Sequence, residues 1–306
     1  MANFMTNNVH GILLLDKASG LTSNHALQRV KRLFGAKKAG HTGSLDPIAT
    51  GMLPICFGEA TKFSQYLLDS DKQYEVTAQL GIETTTGDCE GEVRATYPIS
   101  GISQKNLCVV LSGFIGEMQQ IPPMYSALKY QGQPLYRLAR QGIEVERSAR
   151  TIHIYSIEFL GLNQDLFDFH VHCSKGTYIR TLVEDIGKKL GCGAHVRGLR
   201  RSSVSSYQKA SMYSFSALED ICRVSGLTGL RQLLLPVDSA VRAYPSVVLS
   251  ASAAFYLHQG QAVRTSSLGV KGLVRLFLSG GTFIGMGEMT EDGGVKPCRL
   301  SKYIYD

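Results

Sequence analysis

Two periods of apolar residues alternate along this chain, and the points where one gives way to the other mark out its elements. Residues 11–16 are an apolar run of strand length that ends in Lys17 and a polar turn. Ala26, Leu27, Val30, Leu33 and Phe34 then recur at helical spacing, which predicts a helix over 23–34 with Ser23 as its cap. Residues 53–57 are apolar and short enough for a core strand, and 59–68 reads as a second helix. From 74 to 80 the period becomes two. Tyr74, Val76, Ala78 and Leu80 face one way and Glu75, Thr77 and Gln79 the other, which predicts a half-buried strand with Tyr74 at its inward edge. Strands are predicted again at 151–160 and 167–173. Thr177 is placed to cap a helix to Leu190, whose buried stripe is Ile179, Leu182, Val183, Ile186 and Leu190.

Two stretches break this texture. Over 118–150, short apolar pieces are interrupted by Pro122, Pro123, Gly132, Pro134 and Gly142 and carry Tyr125, Lys129, Tyr130, Tyr136, Arg137 and Arg140, the make-up of an RNA-gripping insertion. Past Tyr244-Pro245, glycine turns separate short strand candidates, which predicts a small β-rich module. Strands interleaved with helices, followed by such a module, give an α+β fold.

With 306 residues, 44% of them hydrophobic, the chain has material for one large core and a smaller one. The net charge of +7 matters through its distribution. Residues 1–50 hold six Lys or Arg against Asp16 and Asp46, and 194–214 hold Arg197, Arg200, Arg201 and Lys209 with no acid. Such clustering suits a phosphate backbone. Seven scattered cysteines without a C-x-x-C pair indicate neither a zinc knuckle nor a disulfide framework. No secretory leader and no long apolar run is evident, so a soluble, cytoplasmic protein is expected.

Candidate chemistry centres on 40–54, where Gly40, Gly43 and Gly51 supply backbone freedom and Pro47 and Pro54 remove it. The shaped loop carries one carboxylate, Asp46. Read alone, Asp46-Pro47 only opens a turn. Arg180, in the first turn of the helix behind Thr177, sits where the positive end of the helix dipole disfavours a cation, so it gains most from a facing anion. Asp46 is the candidate, and a bidentate arginine would orient it and hold it ionised. His170 and His172 share a strand face without a third ligand, so no metal is expected. The glycines over 280–287 lack a following Lys-Ser or Lys-Thr, so no nucleotide cofactor is expected either.

The run GHTGSLDPIATGMLP over 40–54 resembles the nucleophile loop of the TruB family of tRNA pseudouridine synthases, usually GHTGALDPLATGMLP, with Ser44 and Ile48 as mild departures. The likeness continues in LDKASG at 15–20, DKQY at 71–74, GFIG at 113–116, QIPPMYSALK at 120–129, KGTYIR at 175–180 and GAHVR at 193–197. It implies a mixed-sheet catalytic domain over 10–243 with a basic insertion at about 118–150, and a PUA-like RNA-binding domain over 244–306. It also implies isomerisation of uridine 55 in the tRNA T loop to pseudouridine, with Asp46 as nucleophile and Arg180 as its partner. Tyr74 would stack on the base and is a candidate for taking the C5 proton, although an ordinary phenol, with a pKa of about 10, is a weak base near neutrality. His41 would fill the space left by the flipped nucleotide, and Leu199 would pack against the base. Tyr178 is a further substrate-binding candidate, and Lys17 is either structural or phosphate-binding. Lys37, Lys38, Lys129, Arg197, Arg200 and Arg201 are candidates for the RNA backbone.

The expected partner is the tRNA T stem-loop, with no guide RNA, no membrane, no cofactor and a monomeric enzyme. Two other readings stand beside this one: a tRNA-binding or folding protein without catalysis, and a glycosylase that uses a lone aspartate. The joint presence of Asp46, Tyr74 and Arg180 argues against the first. RNA mass separates the second, since isomerisation conserves it. The 118–150 insertion and small C-terminal module favour the stand-alone form over a guide-dependent relative.

Overall fold

The computed structural model describes residues 8–207, 212–265 and 269–301. Lys209 lies outside them. The predicted strands assemble into one eight-stranded mixed sheet. Across it lie, in order, Gly11–Lys17, Thr50–Phe57, Ala194–Val204, Lys72–Leu80, Leu166–Cys173, Arg150–Asn163 and Gly116–Gln120, with Ala39–His41 also paired to Thr50–Phe57. Ala194–Val204 joins the halves. It runs parallel to Thr50–Phe57, setting Arg201 opposite Gly51, and antiparallel to Lys72–Leu80, setting Arg201 opposite Tyr74. Three distant segments thereby meet at one point of the sheet.

The alternation of 74–80 is realised as expected. Val76, Ala78 and Leu80 are buried with Phe167, Phe169 and Val171 under Ile179, Leu182, Val183 and Ile186 of the helix Ile179–Leu190. A second core forms where Ala26, Leu27 and Val30 of the helix Ser23–Leu33 pack on Leu13, Leu53, Ile55 and Phe57. Two helical segments over Phe215–Gln232, broken at Gly226 where φ is +59°, were not set out from the sequence and close this core with Phe215, Leu218 and Leu230.

Four expectations are corrected. The cap of the first helix is Thr22, whose hydroxyl accepts from His25 N, because Ser23 is buried and otherwise engaged. Residues 59–68 divide into a 3-10 turn, Gly58–Lys62, and a short helix, Ser64–Leu68, with a non-helical Phe63 between; Ala60, Phe63 and Leu67 all reach one apolar cluster. Thr177 does not cap the next helix: its hydroxyl bonds back to Ser174 O at 2.9 Å, and the helix begins one residue later, behind Tyr178. Met118 belongs to the edge strand Gly116–Gln120, held by the Arg150–Asn163 ladder. The inserted part is therefore 121–149, a hairpin turning through Gln131 and Gly132, both at positive φ as a two-residue turn of type I′ needs, and the helix Leu135–Arg140.

The C-terminal segment is the expected small, β-rich, PUA-like module, a five-stranded sheet with the helix Ala251–His258 and a core of its own. It is not a loose appendage. Phe283, Met286 and Leu273 enter a cluster with Ile12, Leu14, Met52 and Cys56, so the module packs against the strands that flank the Asp46 loop.

Candidate active site

The loop between Ala39–His41 and Thr50–Phe57 is tied down on every side of Asp46. Ser23 Oγ accepts from Leu45 N at 2.7 Å and donates to Leu45 O at 3.1 Å. On the other flank Pro47 O accepts from Gly20 N at 2.9 Å and from Lys17 Nζ at 3.2 Å, the ammonium also donating to Ala18 O and Leu21 O. Arg201 crosses beneath, donating to Met52 O at 2.7 Å and Gly43 O at 3.1 Å. Gly51 is needed at its place: its φ is +95°, and a Cβ there would lie 2.3 Å from Arg201 O. With Leu45 and Pro47 both anchored, the direction of the Asp46 side chain is set by the backbone.

Arg180 meets it from the first turn of the helix. Its Nε stands 2.9 Å from Asp46 Oδ2 and its Nη2 3.3 Å from Oδ1, a side-on fork. Two further donors are taken by Thr86 O at 2.7 Å and Tyr125 O at 2.6 Å, so the guanidinium is wedged among the loop after Ile82–Thr84, the insertion and the Asp46 loop. The arginine side chain is 6% exposed while that of Asp46 is 38% exposed. The cation is therefore a fixed part of the wall, and the carboxylate is open to a substrate.

Asp88, which the sequence reading missed, stands 3.8 Å from Arg180 Nε, and its carboxylate accepts from Thr86 Oγ1 at 2.6 Å and Glu90 N at 3.1 Å. Its signal in the sequence was the Thr84-Thr85-Thr86-Gly87-Asp88 turn, polar and glycine-bearing like the Asp46 loop. Ser23 was visible only as a cap and Gln120 only as part of the 120–129 motif. Burial pushes the Asp46 carboxyl above its ordinary value, Arg180 opposes that rise, and Asp88 adds to it. Desolvation is the larger influence on this carboxyl, and the arginine limits it.

Tyr74 and Leu199 both pack where the two cores meet. Beside them a groove of about 480 Å³ is lined by Ile48, Thr50, Glu75, Thr77, Asp168 and Leu199, among others, and not by Asp46, Tyr74 or Arg180. Burial raises the Tyr74 phenol, and the facing Arg201 partly offsets this. His41, half-buried at the end of its strand, is pushed down by burial and by Arg201, and its buried Nδ1 has no hydrogen-bond partner. Both influences favour the neutral ring, and its Nδ1 is a free polar atom. Tyr178 precedes the helix, half-buried, with its phenol raised by burial.

Three basic candidates are reassigned. Arg201 is 2% exposed and spent on backbone carbonyls, so it is a strut of the loop and not a phosphate ligand. Arg200 forks onto Asp16 at 3.0 and 2.9 Å, which neutralises it. Lys17 is fully buried and structural; burial takes its ammonium down to about 8. Lys37, Lys38, Lys129 and Arg197 are exposed, as phosphate ligands must be. His170 meets Glu158 at 3.4 Å, and among the described residues no three potential metal ligands cluster. Lys17→Met should leave Pro47 O and its two companion carbonyls short of a donor, at a cost of about 2 kcal/mol or more. A thermal melt should fall and single-turnover rate drop with it; an unchanged rate would show that the loop holds its shape without the ammonium.

Comparison with known proteins agrees with this geometry. The family model described as TruB family pseudouridylate synthase (N terminal domain) matches residues 31–179, tRNA pseudouridylate synthase B C-terminal domain matches 180–242, and Pseudouridine synthase II TruB, C-terminal, matches 245–301. A protein named tRNA pseudouridine synthase B from Nitrosococcus oceani is 52% identical over 297 residues, 97% of this chain and 96% of that protein. One of the same name from Coxiella burnetii is 53% identical over 292 residues, 95% and 94% of the two. Among solved structures, a chain of a Cbf5-Nop10-Gar1 complex superposes with a TM-score of 0.74 at 26% identity, covering 98% of this chain and 86% of that one. No helix among the described residues is long and apolar enough to cross a membrane. The family models together span residues 31–301 and the relatives cover nearly the whole chain at more than 50% identity, so this chain belongs to the TruB family of pseudouridine synthases.

Proposed function

We propose that the protein converts uridine 55 of the tRNA T loop to pseudouridine, with Asp46 as nucleophile. The observation that carries this is the solvent-open carboxylate of Asp46 held side-on by the buried Arg180. Identity above 50% to proteins named tRNA pseudouridine synthase B, against 26% to the Cbf5 chain, supports tRNA as substrate and action without a guide RNA.

A uridine stacked in the loop is out of reach, so it must flip out to meet Asp46, and His41 is the ring placed to fill the gap. Asp46 then attacks the ring at C6 or the ribose at C1′. The N1–C1′ bond breaks, the uracil turns, C5–C1′ forms, the bond to Asp46 breaks and returns its electron pair to the carboxylate, N1 gains a proton and the C5 proton leaves. Atoms balance without a donor or an oxidant. Tyr74 and Leu199 hold the base, and Tyr178 borders it. Lys37, Lys38, Lys129 and Arg197 approach the RNA backbone, and recognition rests on the shape of the loop. The division into a catalytic domain over 10–243 and an RNA-binding module over 244–306 belongs to the same proposal, the module adding contacts beyond the loop.

The test is a C5-tritiated tRNA transcript and its copy with cytidine at position 55. Release of one tritium per tRNA, absent in the cytidine copy and without change in RNA mass, is expected. Loss of uracil mass would make the protein a glycosylase, and binding without release would make it an RNA-folding protein.

A further inference from the structure

The residue that seats the Arg180 helix is a buried glutamine from another part of the sheet. Gln120 ends the edge strand Gly116–Gln120 at the foot of the insertion and is 2% exposed. Its Oε1 accepts from Tyr178 N at 2.8 Å and its Nε2 donates to Tyr178 O at 3.1 Å. The side chain thus copies the two-bond pattern of a neighbouring strand. Tyr178 is the N-cap of the helix and has no side-chain cap bond, so the glutamine supplies the partner that an N-cap residue ordinarily lacks. Five residues past Gln120, Tyr125 O takes Arg180 Nη2 at 2.6 Å. The foot of the insertion therefore grips the arginine segment twice, at the backbone of Tyr178 and at the guanidinium.

We infer that Gln120 is a positioning residue for the reaction: by clamping the backbone of Tyr178 it fixes the aim of Arg180 on Asp46. The inference rests on the reading of Asp46 as nucleophile. Charged and titratable groups face that carboxylate from every side, namely Arg180, Asp88, Glu90, Lys17, Tyr74 and Tyr178. Arg180 is the one cation among them whose seat the glutamine holds. Releasing it weakens the attraction that favours the carboxylate, so the acid form persists to higher pH.

Gln120→Met keeps the length and removes both bonds. Single-turnover rate on tRNA should fall roughly tenfold to a hundredfold, the range for stranding one buried backbone group. Affinity for tRNA should stay level, and the acid limb of the rate profile should move to higher pH. Gln120→Asn, one methylene shorter, should fall between. An equal loss of rate at every pH with the limb unmoved would reduce Gln120 to a structural residue and overturn the inference, as would a wild-type rate in folded Gln120→Met. If Gln120→Met does not fold, the limb is read from Gln120→Asn; if neither folds, the glutamine serves folding alone and the inference falls. Asp46→Asn is measured alongside. Activity in that variant would overturn the nucleophile reading, whereas an inert Asp46→Asn with an unmoved limb in the glutamine variants overturns this inference only.

Discussion

Asp46→Asn should abolish turnover while leaving tRNA binding nearly intact. The amide preserves the shape of the side chain and still offers one oxygen to Arg180, but its NH2 confronts a guanidinium donor and it cannot form the covalent bond. Removing a nucleophile costs on the order of 10⁴-fold or more, so the single-turnover rate should drop at least that far. Filter binding should move by no more than about threefold, because Asp46 supplies no phosphate contact and each tenfold in affinity needs about 1.4 kcal/mol. Activity within tenfold of wild type would sink the mechanism. On the proposed mechanism the active form is the carboxylate, and burial raises its pKa. The rate should therefore be lost as pH falls through a value above the ordinary aspartate pKa of about 3.9.

Arg180→Lys should be nearly as damaging although it keeps the charge. The guanidinium serves four acceptors at once, both oxygens of Asp46 together with Thr86 O and Tyr125 O. A lysine is a point charge on a flexible stem and cannot meet a planar fork and two carbonyls from one position. At least one buried carbonyl is then left without a donor, which costs about 1–3 kcal/mol. Turnover should fall by roughly 10²-fold or more, with a lower melting temperature and a smaller change in tRNA affinity. Near-normal turnover in the lysine variant would show that charge alone suffices and that the fork has no part in aiming Asp46.

These expectations rest on residues that differ in how visible they were. The elements followed from spacing: the two-residue period of 74–80 and the apolar stripe of 179–190 report a choice each segment makes with its near neighbours. The Asp46 loop was visible for the same reason, because glycine and proline act on their own backbone dihedrals. Arg180 was half visible, as a cation at the wrong end of a helix dipole.

The basic residues show where local reading stops. Arg200 and Arg201 are adjacent and look alike in the sequence, yet one is neutralised by Asp16 and the other is buried under the loop. Sheet register decides this, since the parallel pairing sets Arg201 against Gly51 and turns its side chain inward. Ser23 had the chemistry of a cap and became a tether because Leu45 came within reach of it. Asp88 and Gln120 acquired their places only when strands far apart in the chain became neighbours.

From residues alone came what short-range forces dictate: the helix and strand periods, the constrained loop around one carboxylate, the basic composition and the motifs that mark the family. Folding decided what depends on contact between remote segments. It chose which cations are spent on carbonyls, which carboxylate remains open, and which buried amide seats the arginine. The reason lies in the range of the forces. Propensity and periodicity act over a few residues, whereas the bond between Arg180 and Asp46 spans 134 residues and exists only once the sheet has closed.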